Sequence, residues 1–447
     1  MVNKRNKVLT FIDLFAGIGG FHHALKSLGG KCVLSCELDK ECQRVYQSSF
    51  GKTGYQLVSN IREITRNNIE DENSLKTPRQ ISKLVPDHDV LCGGFPCTTY
   101  SKSGAQKGVR DKTKGTLFYD ILQIIEAKKP KYVFLENVRN LAGPRHIHSW
   151  KTIIGSLDEL GYNVHSVPLI FSPHLLSRKL GGTCQVRERV FIIAIRKGES
   201  KKPILDIVTF NEKLRKKVYF DPDKWDVKDF LQKDKDIQNI DKYLLPESEK
   251  TYLEAWNYLV ENITLDNLPG FPIWAFAFRS KPTLRGDMHD WEINILKKNA
   301  QFYRDNKVFL DKWMLMKWGK KKLRVSDFPS SRQKLEWQAR KTHPMKKNRT
   351  LKDLVIQFRP SGIRVKPPTY LPALVAITQT SVVGPNLRGS VTPTFRKLTP
   401  VEASRLQGFP DNTVANAGIN DANAYKQFGN AVNVGIVRYV LRILLNR

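Results

Sequence analysis

The chain has 447 residues, enough for two domains with buried cores, and its 40% hydrophobic and 26% charged content excludes a fibrous or disordered class. Lys and Arg number 74 against 43 Asp and Glu, a formal charge of +31 that points to a polyanionic partner, nucleic acid before any other. Six cysteines, at 32, 36, 42, 92, 97 and 184, are too few and too irregular for a secreted disulfide scaffold. No Cys/His pair at finger spacing follows Cys32, Cys36 and Cys42, so these are expected to pack in or beside a strand and to bind no metal. Lys4, Arg5 and Lys7 before an apolar run imitate a signal peptide, but Asp13 interrupts the run and no cleavage site follows. No apolar stretch is expected to span a membrane, and the expectation is a reduced, cytoplasmic protein.

Val8 to Phe15 reads as a buried strand ending in Ala16-Gly17-Ile18-Gly19-Gly20, with helical periodicity from Phe21 to Leu28. A second strand, Lys31 to Cys36, ends at Glu37-Leu38-Asp39 and leads into a helix over Lys40 to Phe50. Further strands are predicted at 89–93, 132–137 and 189–195, with helices near 119–128 and 148–160. This alternation predicts an α/β fold, a doubly wound and mostly parallel sheet. Ligands of such sheets bind beyond the carboxyl ends of the strands, where Phe15 to Gly20, Glu37 to Asp39, Gly93 to Cys97 and Glu136-Asn137 all fall.

Gly17-Ile18-Gly19 opens a dinucleotide fingerprint whose third glycine would fall on His22, and a structural turn explains a lone G-x-G-G equally well. Gly51-Lys52-Thr53 is no P-loop, because Tyr46 stands where the leading glycine belongs. The acid Glu37 after the second strand suits ribose hydroxyls, so a nucleoside cofactor without a pyrophosphate fits better than NAD or ATP. Asp89 to Cys92, two glycines, Pro96 and Cys97 precede a Lys/Gly/Ser-rich stretch to Gly115. That order presents a thiol at a sheet edge. A lone cysteine is more often buried packing, as Cys92 inside the strand should be, but the glycine turn and Pro96 favour chemistry at Cys97.

From about Lys197 the alternation fades. Residues 199–395 hold seven of the eight tryptophans and dense basic runs such as Lys320-Lys321-Lys322-Leu323-Arg324, which predicts a second, smaller and irregular α+β domain. Most of its aromatics are expected in a core, yet basic residues interleaved with aromatics also suit a nucleic-acid groove. Helices are predicted over 250–262 and 290–318. Arg396 to Pro400 then leads into a helix from Val401 to Leu406, stopped by Gln407-Gly408-Phe409-Pro410. Tyr425 to Asn430 and an apolar helix to Leu445 should dock back onto the sheet.

In order and spacing these motifs resemble the cytosine-5 DNA methyltransferase family of the bacterial restriction-modification type. The resemblance rests on Phe11 to Gly20, Glu37, Gly94-Phe95-Pro96-Cys97, Glu136-Asn137-Val138, Gln185 to Arg189, Arg396 to Pro410 and Gln427-Phe428-Gly429-Asn430. It covers roughly 8–198 and 396–447 and leaves the middle as that family's variable target-recognition region. It implies a catalytic and cofactor-binding domain over 1–198 and target recognition over 199–395. A hinge and return segment over 396–424 and a C-terminal helix over 425–447, completing the catalytic domain, would follow.

The resemblance further implies S-adenosyl-L-methionine as cofactor, with Phe15, Gly17, Gly19, Gly20, Glu37, Leu38, Asn60, Ile61, Pro96, Leu117, Asn430 and Val432 at its pocket. The reaction it implies is methyl transfer to C5 of a cytosine flipped out of double-stranded DNA. Cys97 would add to C6, Glu136 would face N3, Arg187 would bind O2, and Arg189 would buttress the pocket or loop. Ser101 to Gly115, with Lys102, Lys107, Arg110, Lys112 and Lys114, would close over the DNA. A monomer working beside a cognate restriction endonuclease is the expected setting.

Four positions depart from the family pattern: Asn60 for an acid, Thr98 for a glutamine, Cys184 for a proline and Ala431 for a serine. None removes a group the reaction requires. A transfer-RNA methyltransferase of the same family would carry a Cys-Phe-Thr signature in the recognition region, but no cysteine lies beyond Cys184. A silent DNA-binding relative could dispense with Cys97, Glu136 and Arg187, yet all three are present. An NAD-dependent oxidoreductase is disfavoured by His22.

Overall fold

A computed structural model of the protein describes residues 8–96, 117–199, 206–264, 268–339, 349–376, 381–389 and 394–445. The chain divides into two compact units: Met1–Pro222 with Ala373–Ile377 and Ala403–Arg447, and Asp223–Pro372 with Thr378–Glu402.

The first unit contains, in chain order, β1 (Thr10–Leu14), α1 (Gly20–Ser27), β2 (Lys31–Cys36), α2 (Lys40–Phe50), β3 (Gln56–Val58), α3 (Ile61–Thr65), α4 (Pro78–Leu84) and β4 (Val90–Gly94). After these come α5 (Leu117–Lys128), β5 (Tyr132–Val138), α6 (Ile147–Glu159), β6 (Tyr162–Val164), β7 (Leu169–Phe171), β8 (Gln185–Val186), β9 (Arg189–Arg196) and α7 (Ile207–Arg215). The main sheet has the order β3-β2-β1-β4-β5-β9-β6, with β7 also on β9. Strands β1 to β5 pair in parallel, whereas β9 runs antiparallel to β5, β6 and β7. This is the doubly wound, mostly parallel sheet that the alternation predicts.

Strands β4 and β5 are unbroken apolar runs because both faces of the sheet are covered. Val90, Leu91, Cys92, Val133, Phe134 and Leu135 are all fully buried. Cys32 and Cys36 are likewise buried in β2. The turn from β1 into α1 needs its glycines. Gly17 and Gly19 have φ of 54° and 87°, and a Cβ on Gly19 would stand 2.3 Å from the Phe50 ring. His22, at the missing third glycine, stacks on Phe50 with centroids 3.6 Å apart and lies 2.7 Å from the Tyr46 hydroxyl. That position is a packing position.

The second unit contains α8 (Glu247–Asn262), β10 (Ile273–Trp274), α9 (Asp290–Asp305), α10 (Lys307–Leu315), β11 (Lys334–Trp337), β12 (Val355–Arg359), β13 (Gly362–Lys366), β14 (Leu371–Pro372), β15 (Ser381–Val383) and β16 (Arg396–Lys397). The single helix predicted over 290–318 is two helices that meet at Asn306. A six-stranded sheet, β10-β11-β13-β12-β15-β16, turns Leu335, Trp337, Ile356, Phe358, Ile363, Val365 and Val382 into a core with Trp256 and Trp313. Most tryptophans are therefore packing residues, and Trp291 is the exposed exception among the described ones at 59%.

A buried ion network closes this unit. Arg396 donates to both Glu402 oxygens at 2.6 and 2.8 Å, and both side chains are fully buried. Asp234 lies 3.3 Å from the Arg396 Nε and 2.6 Å from Arg388. Glu402→Ala is expected to lower stability by roughly 3–5 kcal/mol, because one partner of a buried pair is left uncompensated, and Glu402→Gln by less. The urea midpoint of the full chain checks this.

The chain ends with α11 (Pro400–Gln407), α12 (Asp421–Asn430) and α13 (Val434–Leu445). Contrary to the expectation that no stretch is apolar enough, Asp421–Leu445 passes for a membrane span by length and mean hydropathy, 1.3. However, 61% of that window is buried in the protein, as in a core helix.

Candidate active site

At the carboxyl ends of β1, β2, β4 and β5, a cavity of about 470 Å³ gathers residues from eight chain segments. Phe15, Gly17 and Gly20 come from the first turn, and Glu37, Leu38 and Asp39 from the end of β2. Asn60 and Ile61 come from the start of α3, Gly94 to Pro96 from the end of β4, and Leu117 from the start of α5. Glu136 and Asn137 belong to the end of β5, Arg187 and Arg189 to the β8–β9 stretch, and Gln427, Asn430 and Val432 to the end of α12. The carboxyl-edge rule thus brings distant motifs together. Gly19 is not in the wall. It stands behind it, against Phe50. Cys97 and the stretch from Ser101 to Gly115 lie outside the described residues. Cys92 is fully buried in β4, and its thiol donates to the Ile12 carbonyl at 3.2 Å.

Glu37 is held by two backbone donors. The Gly17 N–H reaches Oε2 at 2.8 Å and the Asp39 N–H reaches Oε1 at 2.7 Å. Burial pushes its carboxyl upward against those bonds. Asp39 caps α2, accepting from the Glu41 N–H at 2.9 Å, and pairs with Lys426 at 3.1 Å. Asn60 closes a capping box on α3. Its Oδ1 accepts from the Arg62 N–H at 3.0 Å and its own N–H donates to Glu63 at 3.1 Å. The Asn60 oxygen, expected as an acceptor for adenine, therefore already serves the helix with one lone pair. Leu38 stands 68% exposed at the rim, an apolar surface with no protein neighbour to cover it fully.

Glu136 is 7% exposed, and its Oε1 lies 3.0 Å from the Arg189 Nε. Burial raises its carboxyl, while Arg189 and then Arg187 pull it back down. Gly94 leaves the carboxylate room, since a Cβ there would come within 3.3 Å of Oε2 and push it aside. Asn137 ties this corner to β4 through a 2.8 Å bond from Nδ2 to the Phe95 carbonyl. Arg187 is 2% exposed and donates to three carbonyls: Leu374 at 3.1 Å, Gly429 at 2.7 Å and Ala431 at 2.9 Å. Burial lowers its guanidinium to about 9, and its Nε has no partner among the described residues. One unused donor thus remains in a buried cation that lines the cavity.

Gln427 is legible in the sequence only as part of a motif, not as a site residue. It lines the cavity at 4% exposure, and neither amide atom has a partner among the described residues. Its spacing is the signal: three residues before Asn430, it shares that residue's helix face.

A family model described as C-5 cytosine-specific DNA methylase matches residues 9–446. The type II methyltransferase M.AluI of Cellulosimicrobium cellulans is 37% identical, an alignment covering 99% of this chain and 92% of that protein. M.HhaI of Haemophilus parahaemolyticus is 39% identical over 44% of this chain and 53% of its own length. Among solved structures, the Dnmt2 methyltransferase of S. pombe is similar with a TM-score of 0.52 and 15% identity, covering 98% of this chain and 99% of that one. At that identity the likeness concerns the fold alone.

Proposed function

The chain belongs to the C-5 cytosine-specific DNA methylase family, and from that premise we propose which of its residues carry the reaction and what they act on. It is a DNA cytosine-5 methyltransferase. The observation that carries the residue assignment is the meeting of Glu136, Arg187 and Arg189 with the Phe15–Gly17 turn and Glu37 in one cavity.

The cavity fits S-adenosyl-L-methionine. Glu37 is fixed in place to accept ribose hydroxyls, Leu38 and Ile61 offer apolar cover for an adenine, and the walls carry Glu37, Asp39 and Glu136 to receive a cation. The start of α1 is no pyrophosphate cradle, because a Cβ on Gly20 would stand 2.5 Å from Val432. Phe15, Gly17, Gly20, Pro96, Leu117, Asn430 and Val432 complete the lining, Asn60 stands at its edge, and Gly19 holds the turn from behind. When bound there, the cofactor supplies an electrophilic methyl group on a sulfonium sulfur.

Cytosine C5 is too weak a nucleophile to react unaided. Cys97, as thiolate, adds to C6 and turns the ring into an enamine with electron density at C5. Charge building toward N3 is met by Glu136, whose carboxyl burial pushes toward the protonated form. Arg187 donates its unpartnered Nε to O2, and Arg189 holds the second Glu136 oxygen in place. Once C5 carries the methyl group, its proton passes to a base such as water and the electron pair expels the Cys97 thiolate by β-elimination. The target base must leave the duplex stack to reach this site, at a cost of roughly a few kcal/mol. The basic stretch from Ser101 to Gly115 closes over the flipped base, and residues 199–395 recognise the target. The protein acts as a cytoplasmic monomer on duplex DNA, beside an endonuclease that cuts the same sequence.

Bisulfite sequencing of DNA from cells expressing the chain tests this reading. Methylated cytosine in one short sequence context is expected, and its absence despite DNA and cofactor binding would favour a silent binder. Glu37→Ala is expected to weaken cofactor binding roughly 10- to 100-fold, the scale of hydrogen bonds to a charged group, with kcat at saturation little changed. Isothermal titration of the variant checks it.

A further inference from the structure

In the sheet of the second unit, β11, β12 and β13 each send alternate side chains into the core. Leu335, Trp337, Ile363, Val365, Ile356 and Phe358 enter the core. The intervening positions form a polar rung across four strands, in which Glu336 pairs with Arg364, Arg364 with Gln357, and Gln357 with Ser381. Within this rung, Arg364 donates its Nε to Glu336 Oε2 at 2.8 Å. Gln338 holds the other carboxylate oxygen, and Arg359 approaches Oε2 at 3.7 Å. Glu336 is thereby fixed and fixes Arg364 in turn.

A purely structural arginine–carboxylate pair gains most from two parallel bonds. Here only the Nε edge is used. Nη1 and Nη2 of Arg364 make no hydrogen bond among the described residues, although the side chain is only 25% exposed. Both amino groups keep access to solvent, so an incoming ligand finds them unengaged. The two free amino groups form a rigid, planar fork, whose natural complement is a pair of acceptors lying side by side.

In duplex DNA that complement is the O6/N7 edge of guanine in the major groove, which β-strand readers reach as well as helices. A phosphate would also accept two bonds. Glu336, 2.8 Å from the same guanidinium, repels an anion but not the neutral edge of a base. We propose that Arg364 is a sequence-reading residue that recognises one guanine of the target site, and that Glu336 positions its fork. This rests on the DNA-methyltransferase reading and narrows it to a single base contact.

The test is selection of duplexes randomised around a cytosine by the full chain, at two salt concentrations, with methyl transfer measured on the selected pool. The wild type should enrich a G·C pair at one position. Arg364→Gln should reduce that preference roughly 10- to 100-fold, leaving the other positions and the salt slope unchanged. Arg364→Lys keeps the charge and loses the fork, so it too should lose the guanine preference while retaining non-specific binding. Glu336→Gln should relax the preference by a smaller factor, because the arginine remains but swings. A uniform loss across all sequences, with the salt slope falling by about one, would make Arg364 a phosphate contact and overturn the proposal. So would an unchanged selection in Arg364→Lys. A wild type that selects no sequence and methylates none defeats the functional reading itself. A selective wild type with indifferent variants defeats only this inference.

Discussion

Cys97→Ser is expected to lower methyl transfer by about 10⁴-fold or more, the scale on which removing the nucleophile of a covalent mechanism acts. A serine hydroxyl is scarcely ionised near neutral pH, so it cannot add to C6 as a thiolate does. Duplex DNA carrying 5-fluorocytosine gives the decisive measurement, because fluorine at C5 cannot depart as the proton does. The wild type should then accumulate a protein–DNA adduct that survives denaturation, and Cys97→Ser should form none. An adduct that persists in the variant would remove Cys97 from the role. Binding of cofactor and of DNA should change by no more than a few-fold, which separates lost chemistry from lost folding.

Glu136→Gln should lower kcat by about 10²- to 10⁴-fold, the usual contribution of a positioned general acid. The pH dependence gives the sharper check. Burial raises the Glu136 carboxyl, and Arg189 and Arg187 only partly oppose that rise. The protonated acid is therefore present below the raised pKa and is lost as pH climbs through it, which sets the alkaline limb of this group's contribution to kcat. Arg189→Leu removes the nearer cation, so the limb should move to higher pH. A variant that loses stability but leaves the limb where it was would reduce the pair to a structural role.

Much of the site is legible in the amino-acid order, for local reasons. The bounds of β2 and α2 can be read to the residue, because Gly29-Gly30 opens the strand and Asp39 caps the helix. Cys92 is placed inside β4 by the apolar run that precedes the glycines. The stretch between α2 and β4 is polar and shows no apolar period, so β3, α3 and α4 are hard to read, and only the capping-box pairs Asn60/Glu63 and Thr77/Gln80 mark the two helix starts. The second sheet is equally hidden. Its strands are short, and β11 pairs in parallel with β13, skipping β12. A pairing of that kind has no signature in neighbouring residues.

What the sequence by itself determined is the order of the chemical groups and the sheet edge to which they belong. Side-chain period and turn chemistry are local properties, and parallel strands all deliver their carboxyl ends to one side. Only the tertiary structure decided the partners. Arg187 is clamped by carbonyls of Leu374, Gly429 and Ala431, the last 244 residues away, and Glu136 is held by Arg189 across an antiparallel pair of strands. A guanidinium carries five donors and no instruction about which acceptors to use. The choice is made when packing brings those carbonyls within reach and excludes water.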